Sequence, residues 1–305
     1  MRIMFTGGGG AGNEAIWRLW NARYTLYFAD AKPEFISPEI PQDYRIAIPI
    51  ATAENFSEAV KTMCGVLSID ILVPGVDEEL SILASIKGEV GWPIIMLPDN
   101  GFIELMLDKQ ACAEALRSDG LSAPLTLPVS RADEIGFPLI IKPRSGRGSR
   151  GVMKIDRPSQ VAAYLTLYGV DPTAIIAQEW IKGQEYTVFV CPDRQSTLRA
   201  VVPVRVDQKR GVTIRAETEA HPAIVEYARR FQATFQPNGP YNIQCMVTED
   251  GVVVPFEVNP RISTTLCVSI AAGVEVIDLF MGHINHSSLY ILILIYKLKL
   301  LLLPL

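Results

Sequence analysis

The residues with the clearest chemistry lie in "YNIQCMVTEDGVVVPFEVNPRIS". Asp250-Gly251 is a hairpin-turn dipeptide. Pairing the strands outward sets Glu249 opposite Val252, Val247 opposite Val254, Cys245 opposite Phe256 and Gln244 opposite Glu257. Period-two alternation then places Gln244, Glu257 and Asn259 on one face. All three offer oxygen ligands, the kind that hard cations such as Mg²⁺ or Mn²⁺ take. Arg261 falls beside them. The other face carries Cys245, Val247, Val254, Phe256 and Val258 toward a core. The plainer reading of the same pattern is the polar outer face of a hairpin.

Two further stretches suit an anionic ligand. In "IIKPRSGRGSRGV", Lys142 ends an apolar strand. Gly146, Gly148 and Gly151 let backbone N–H groups approach a ligand, and Arg144, Arg147 and Arg150 add local positive charge. The loop suits a polyphosphate, but it is not a Walker A loop; a solvated hairpin is the alternative. In "AQEWIKGQEYTVFV", Glu179 and Glu185 flank Gly183 on an extended segment able to read an adenine edge and ribose hydroxyls. Otherwise they form a solvated acidic face. The opening "MRIMFTGGGGAGNEA" satisfies G-x-G-x-x-G at Gly7, Gly9 and Gly12, with Asp30 where a ribose-binding acid belongs. A dinucleotide site and a plain strand-to-helix turn both fit it.

The elements that must position these residues fall into two patterns. Strands at Arg2–Thr6, Tyr24–Ala29, Ile69–Val73 and near Ile94 alternate with helices at Asn13–Trp20 and near Asn55–Leu67, which predicts a parallel α/β sheet ending near Pro98-Asp99. One helix is expected through "IELMLDKQACAEALRSDG", closed by Gly120. From there the pattern is strand-rich α+β, interrupted by the helices "PSQVAAYLTLYG" and "PAIVEYARRFQATF".

Bulk properties narrow the classes. The 305 residues are 49% hydrophobic with net charge −5, enough for two or three cores and unsuited to general nucleic-acid binding. Five scattered cysteines and three histidines predict reduced thiols rather than a disulfide frame or a zinc site. The opening strand meets glycines after five residues, so no secretory leader is expected there and a cytoplasmic location is. The stretch 289–305 is apolar but interrupted by Lys297 and Lys299, which disfavours a membrane span.

"DK" at Asp108-Lys109, "KPRSGRGSRGV", "QEWIKGQEYTV" and "NIQ…FEVNPR", in that order, resemble the ATP-grasp superfamily. The likeness is greatest to one module of the carbamoyl-phosphate synthase large subunit and its stand-alone carboxylate–amine ligase relatives, over about residues 1–282. The resemblance implies a Rossmann-like pre-ATP-grasp domain at 1–98 and an ATP-grasp domain at 99–283, with a lid at about 130–177 and an antiparallel-sheet subdomain. Residues 284–305 are then an atypical tail, read as truncated or out of frame. Lys109 and Lys142 would contact ATP phosphates, and Gly148 and Ser149 would lie over them. Backbone at Glu179, Trp180 and Ile181 would read adenine, and Glu185 would hold ribose. Gln244, Glu257 and Asn259 would bind Mg²⁺, and Arg261 would meet the transferring phosphoryl group. Arg205 and Arg215 lie on strands able to face substrate; independently of the resemblance, Asp77 and Glu78 follow a strand's carboxyl end, where they could bind an amine or equally form a solvated acidic helix start. The implied activity is ATP-dependent activation of a carboxylate as an acyl-phosphate for attack by an amine. A single module without an amidotransferase segment is not expected to make carbamoyl phosphate. Implied partners are small-molecule carboxylate and amine substrates, and a homodimer is allowed. An NAD(P)-dependent oxidoreductase and a non-catalytic ATP-binding regulator are the alternatives.

Overall fold

The computed structural model describes residues 1–283 and 299–301. The first sheet has five parallel strands: β1 (Arg2–Thr6), β2 (Thr25–Asp30), β3 (Arg45–Ala47), β4 (Ile71–Val73) and β5 (Ile94–Ile95), in the order β3-β2-β1-β4-β5. The central strands read as near-continuous apolar runs because both faces are covered. Phe5 and Phe28 are register partners and stack at 5.4 Å. Helix α1 (Asn13–Trp20) covers one face with Ile16 and Trp20. On the other, α2 (Phe56–Val66) buries Phe56, Val60 and Cys64, and α3 (Asp77–Ser85) buries Leu80 and Leu83.

The single helix expected after Pro98 is two. Helix α4 (Asn100–Leu107) ends at Asp108, whose backbone is extended (φ −86°, ψ 99°), and α5 (Lys109–Ser118) begins there. The Asp108 carboxylate accepts hydrogen bonds from the Gln110 and Ala111 N–H groups, so it caps a new helix rather than extending the old one. Ile103 of α4 joins the core under the first sheet, and Met106 joins the core under the large sheet described below.

A four-stranded antiparallel sheet follows, from β6 (Thr126–Pro128), β7 (Leu139–Pro143), β8 (Met153–Ile155) and β9 (Ile175–Glu179), ordered β6-β9-β7-β8. With α6 (Ser159–Tyr168) it encloses its own small core around Ile141, Ile155 and Tyr164. The large antiparallel sheet contains β10 (Gln184–Pro192), β11 (Leu198–Arg210), β12 (Val212–Thr218), β13 (Tyr241–Val247), β14 (Val253–Asn259) and β15 (Lys299–Leu301), ordered β14-β13-β10-β11-β12-β15. Helix α7 (Pro222–Phe235) packs on one face with α5. Helices α8 (Leu266–Ala271) and α9 (Val276–Met281) pack on the other, in a core shared with α1 and the first sheet. The expected reading of the tail as truncated or out of frame falls, apart from β15, outside the described residues. No helix among the described residues is long and apolar enough to cross a membrane.

The β13–β14 register corrects the expected pairing on the turn side only. Gln244 does face Glu257, and Asn242 faces Asn259. Between Gln244 and Cys245 the register shifts, so Cys245 faces Pro255 and Val247 faces Val253. A bulge inserts one residue and reverses the faces beyond it. Val253, not Val254, therefore joins the core, and Phe256 turns away from it to line a cavity.

Candidate active site

Lys142 stands at the end of β7 and is only 4% exposed. Its Nζ donates to Gln178 Oε1 (2.8 Å) and to the carbonyl of Phe256 (2.9 Å). Burial is the main influence and pushes its pKa down to about 8. Within that net shift Glu257 and Cys112 raise it, while Lys109 and Lys209 also lower it. A lysine held this way gains its counter-charge from an anion placed beside it.

Lys109 opens α5. Its Nζ donates to the Gly146 carbonyl at 2.7 Å and lies 3.6 Å from Glu257 Oε1. Lys209, on β11, was not singled out by the sequence. It donates to Glu185 Oε1 (2.7 Å) and to Gln244 Oε1 (3.3 Å), tying the expected ribose residue to the expected cation ligand. Its position escapes strand alternation because the β11–β12 register shifts on both sides of Gln208.

These groups surround a cavity of about 300 Å³ between the four-stranded sheet and the large sheet. Lys109, Lys142, Ser149, Glu179, Trp180, Ile181, Glu185 and Glu257 all line it, as do Gln178, Met246 and Phe256. The Glu179 carboxylate accepts from the Leu125 N–H, and Lys154 Nζ lies 4.1 Å over the Trp180 ring. Gly148, Gln244, Asn259 and Arg261 are outside that lining. Gly148 and Arg261 line a second crevice instead, and Arg147 and Arg150 line both spaces. The glycine loop is thus a shared wall, anchored by the Arg144–Asp108 pair at 2.6 Å and by Ser149 Oγ donating to the Gly211 carbonyl at 3.3 Å.

Two expectations about charged residues change. Asp77 and Glu78 are not free for an amine: Arg261 Nε donates to Asp77 at 2.6 Å, and Arg147 lies 3.3 Å from Glu78. Arg205 pairs with Asp207, Glu217 and Glu219, and Arg215 with Asp207, so neither faces the cavity or the crevice. The Asp30 carboxylate accepts from the Gly9 and Lys32 N–H groups, both at 2.9 Å. Asp30 thereby closes its own loop, a structural role that accounts for the acid without a dinucleotide, and the oxidoreductase reading is not favoured.

A family model described as "ATP-grasp in the biosynthetic pathway with Ter operon" matches residues 171–291. The chain is 28% identical over 289 residues to the carbamoyl phosphate synthase large chain of Thermoanaerobacter pseudethanolicus, covering 87% of this chain and 26% of that one. It is 31% identical over 135 residues to the D-alanine–D-alanine ligase of Halorhodospira halophila, covering 42% and 38%. The biotin carboxylase–β-γ-ATP complex from Campylobacter jejuni shares the fold at a TM-score of 0.67 and 16% identity, over 93% of this chain and 72% of that one. The family model and these relatives support an ATP-grasp superfamily member. It spans about a quarter of the length of the carbamoyl phosphate synthase chain it matches.

The donor set fits a nucleotide better than a self-contained metal centre. No cluster of three His, Cys, Asp or Glu able to hold a metal occurs among the described residues. Gln244, Glu257 and Asn259 bring one carboxylate and two amide oxygens to one face of the hairpin. That suits a cation such as Mg²⁺, which takes one or two carboxylates and completes its shell with phosphates and water. All five cysteines are buried and unpaired, as expected for reduced thiols.

Proposed function

We propose that this chain is an ATP- and Mg²⁺-dependent ligase that activates a carboxylate as an acyl-phosphate for attack by an amine. The observation that carries the reading is that buried Lys142 and Lys109, the latter 3.6 Å from Glu257, line one wall of the same cavity as Glu257. Bound ATP would supply the phosphoryl group, and Mg²⁺ would neutralise its charge. Ile140, Met246 and Phe256 offer apolar surface to a base, and Glu185 a carboxylate to a ribose. Lys109 and Lys142 hold the phosphates, with Gly148 and Ser149 above them. Gln244, Glu257 and Asn259 hold the cation. Arg261, fixed by Asp77, steadies the transferring group. A substrate carboxylate oxygen bonds to the γ-phosphorus as its bond to the ADP oxygen breaks. The amine nitrogen then bonds to the acyl carbon, phosphate leaves, and the amine proton passes to solvent. Positioning and charge neutralisation carry such a step, so no side chain need shuttle a proton in its first half.

In the same reading residues 1–98 form a Rossmann-like domain and 99–283 the ATP-grasp domain, with about 130–177 as the lid. The strand order of the first sheet and the separate core of the four-stranded sheet support that division. Substrates are small molecules, and a homodimer is compatible. The test is turnover: with MgATP, a carboxylate and an amine, the protein should release ADP and phosphate in equal amounts. Glu257→Gln should weaken MgATP binding and abolish release. Full activity in that variant rejects the site assignment.

A further inference from the structure

The crevice on the far side of the glycine loop is bipolar. It holds about 880 Å³ and opens above the carboxyl ends of β1, β2 and β4, where the strand order reverses between β1 and β4. Ligands of open parallel sheets sit at such a switch point. Arg147 and Arg150 reach it through the loop shared with the nucleotide cavity, and Arg261 lines it from the large sheet. The remaining wall sets an apolar strip of Phe35, Ile48, Ile50 and Ala51 beside the carboxylates of Asp30, Glu78 and Glu79.

Phe35 is 65% exposed and Ile50 is 59% exposed, and both line this one crevice, so they form a shared apolar surface rather than scattered exposed side chains. Both are held in place. A Cβ on Gly9 would lie 3.2 Å from Phe35 Cβ, so the bare backbone there lets the Pro33–Phe35 turn close against the loop. The Lys32 Nζ lies 5.5 Å over the Phe35 ring. Ile48 N–H donates to the Asp30 carbonyl, which fixes the segment carrying Ile50. Asp30 sits beside Gly9 and Phe35, so its carboxylate opposes a second negative charge at this wall.

We propose that this crevice selects a monocarboxylate with an apolar body, a ring or a branched chain. The carboxylate lies toward Arg150 beside the phosphates, next to the Arg147–Glu78 pair, and the body packs on Phe35 and Ile50. The assignment rests on the ligase reading and deepens it by naming the class of acid. The charge is complementary at one end only, which matches a monoacid and not a diacid.

Hydroxylamine tests this without the natural amine, because it converts any acyl-phosphate to a hydroxamate. The full chain with saturating MgATP and hydroxylamine is assayed on acetate, isovalerate, phenylacetate and succinate for hydroxamate and ADP. Isovalerate and phenylacetate should give the highest kcat/KM. Phe35→Ala and Ile50→Ala, both at exposed positions, should each cut the phenylacetate-to-acetate ratio of kcat/KM by about tenfold or more, the usual worth of apolar contacts in a specificity pocket. A preference for acetate or succinate, or a ratio unmoved in both variants, overturns the substrate class while leaving a ligase. No hydroxamate from any of the four acids with ADP formation also absent counts against the ligase reading itself, and this assignment falls with it.

Discussion

At the scale of single residues, Lys142 is the most informative group. Burying an ammonium costs several kcal/mol unless opposite charge and hydrogen bonds compensate it. Here Nζ has two neutral oxygen acceptors, and Glu257, whose charge acts on it, lies 3.6 Å from Lys109 as well. The residue therefore stabilises an occupied site at the expense of an empty one. Lys142→Met should unfold at a higher temperature than the unaltered chain in the absence of nucleotide, while binding MgATP on the order of 100-fold more weakly. Thermal unfolding and nucleotide titration on the same preparation check both signs. A lower unfolding temperature with unaltered affinity would mean that Lys142 is a packing residue.

At the scale of elements, the turn from β4 into α3 shows how the first sheet builds the crevice floor. Glu79 is 2% exposed, and its Oε1 accepts from the N–H groups of Gly75 (2.9 Å) and Val76 (3.0 Å) and from the Thr6 hydroxyl. A Cβ on Gly75 would lie 2.6 Å from the Thr6 carbonyl oxygen, so only glycine lets this turn lie against β1. Burial pushes the Glu79 carboxyl up to about 7, against those hydrogen bonds and the charge of Arg261. Between its ordinary value near 4.5 and about 7, the folded chain holds a proton that the unfolded chain has lost. Stability contributed by this group is present below that window and is lost as pH rises through it, by about 3 kcal/mol at most. Glu79→Gln keeps the acceptor oxygen and removes the titration. Its denaturant-unfolding free energy should change less between pH 5 and pH 7.5 than that of the unaltered chain. Parallel pH dependences of the two would show that Glu79 does not titrate there.

At the scale of the whole molecule, the site depends on the first sheet being docked on the large one. The two share a core in which α1 and α8 meet, and across it Arg261 bonds Asp77, 184 positions away. Both side chains are largely buried. Asp77→Ala leaves the guanidinium without its partner and should cost about 3 kcal/mol of folding stability, as breaking a buried pair does. The Asp77→Ala/Arg261→Met double variant should recover part of it. A double-mutant cycle in denaturant measures the coupling, and additive losses would show that the pair contributes nothing to docking.

Local pattern was enough wherever the decisive contacts are local. β1 and α1 have the limits read from apolar runs and the glycine turn, because neighbouring residues decide both. Gln244 does face Glu257, but only because two offsets cancel: the turn pairs Val247 with Val253 rather than Val254, and the bulge at Phe256 then restores the expected register. The break at Asp108 was hidden, since a capping aspartate is indistinguishable from a helical one until its backbone is extended. Lys209 was hidden by register shifts that no period reveals. What only the tertiary structure decided are the long-range neighbours: Arg261 with Asp77, Arg147 with Glu78, and the glycine loop as a wall common to two spaces. The physical reason is that charge pairing and cavity walls depend on distance in space, whereas a sequence records distance along the chain.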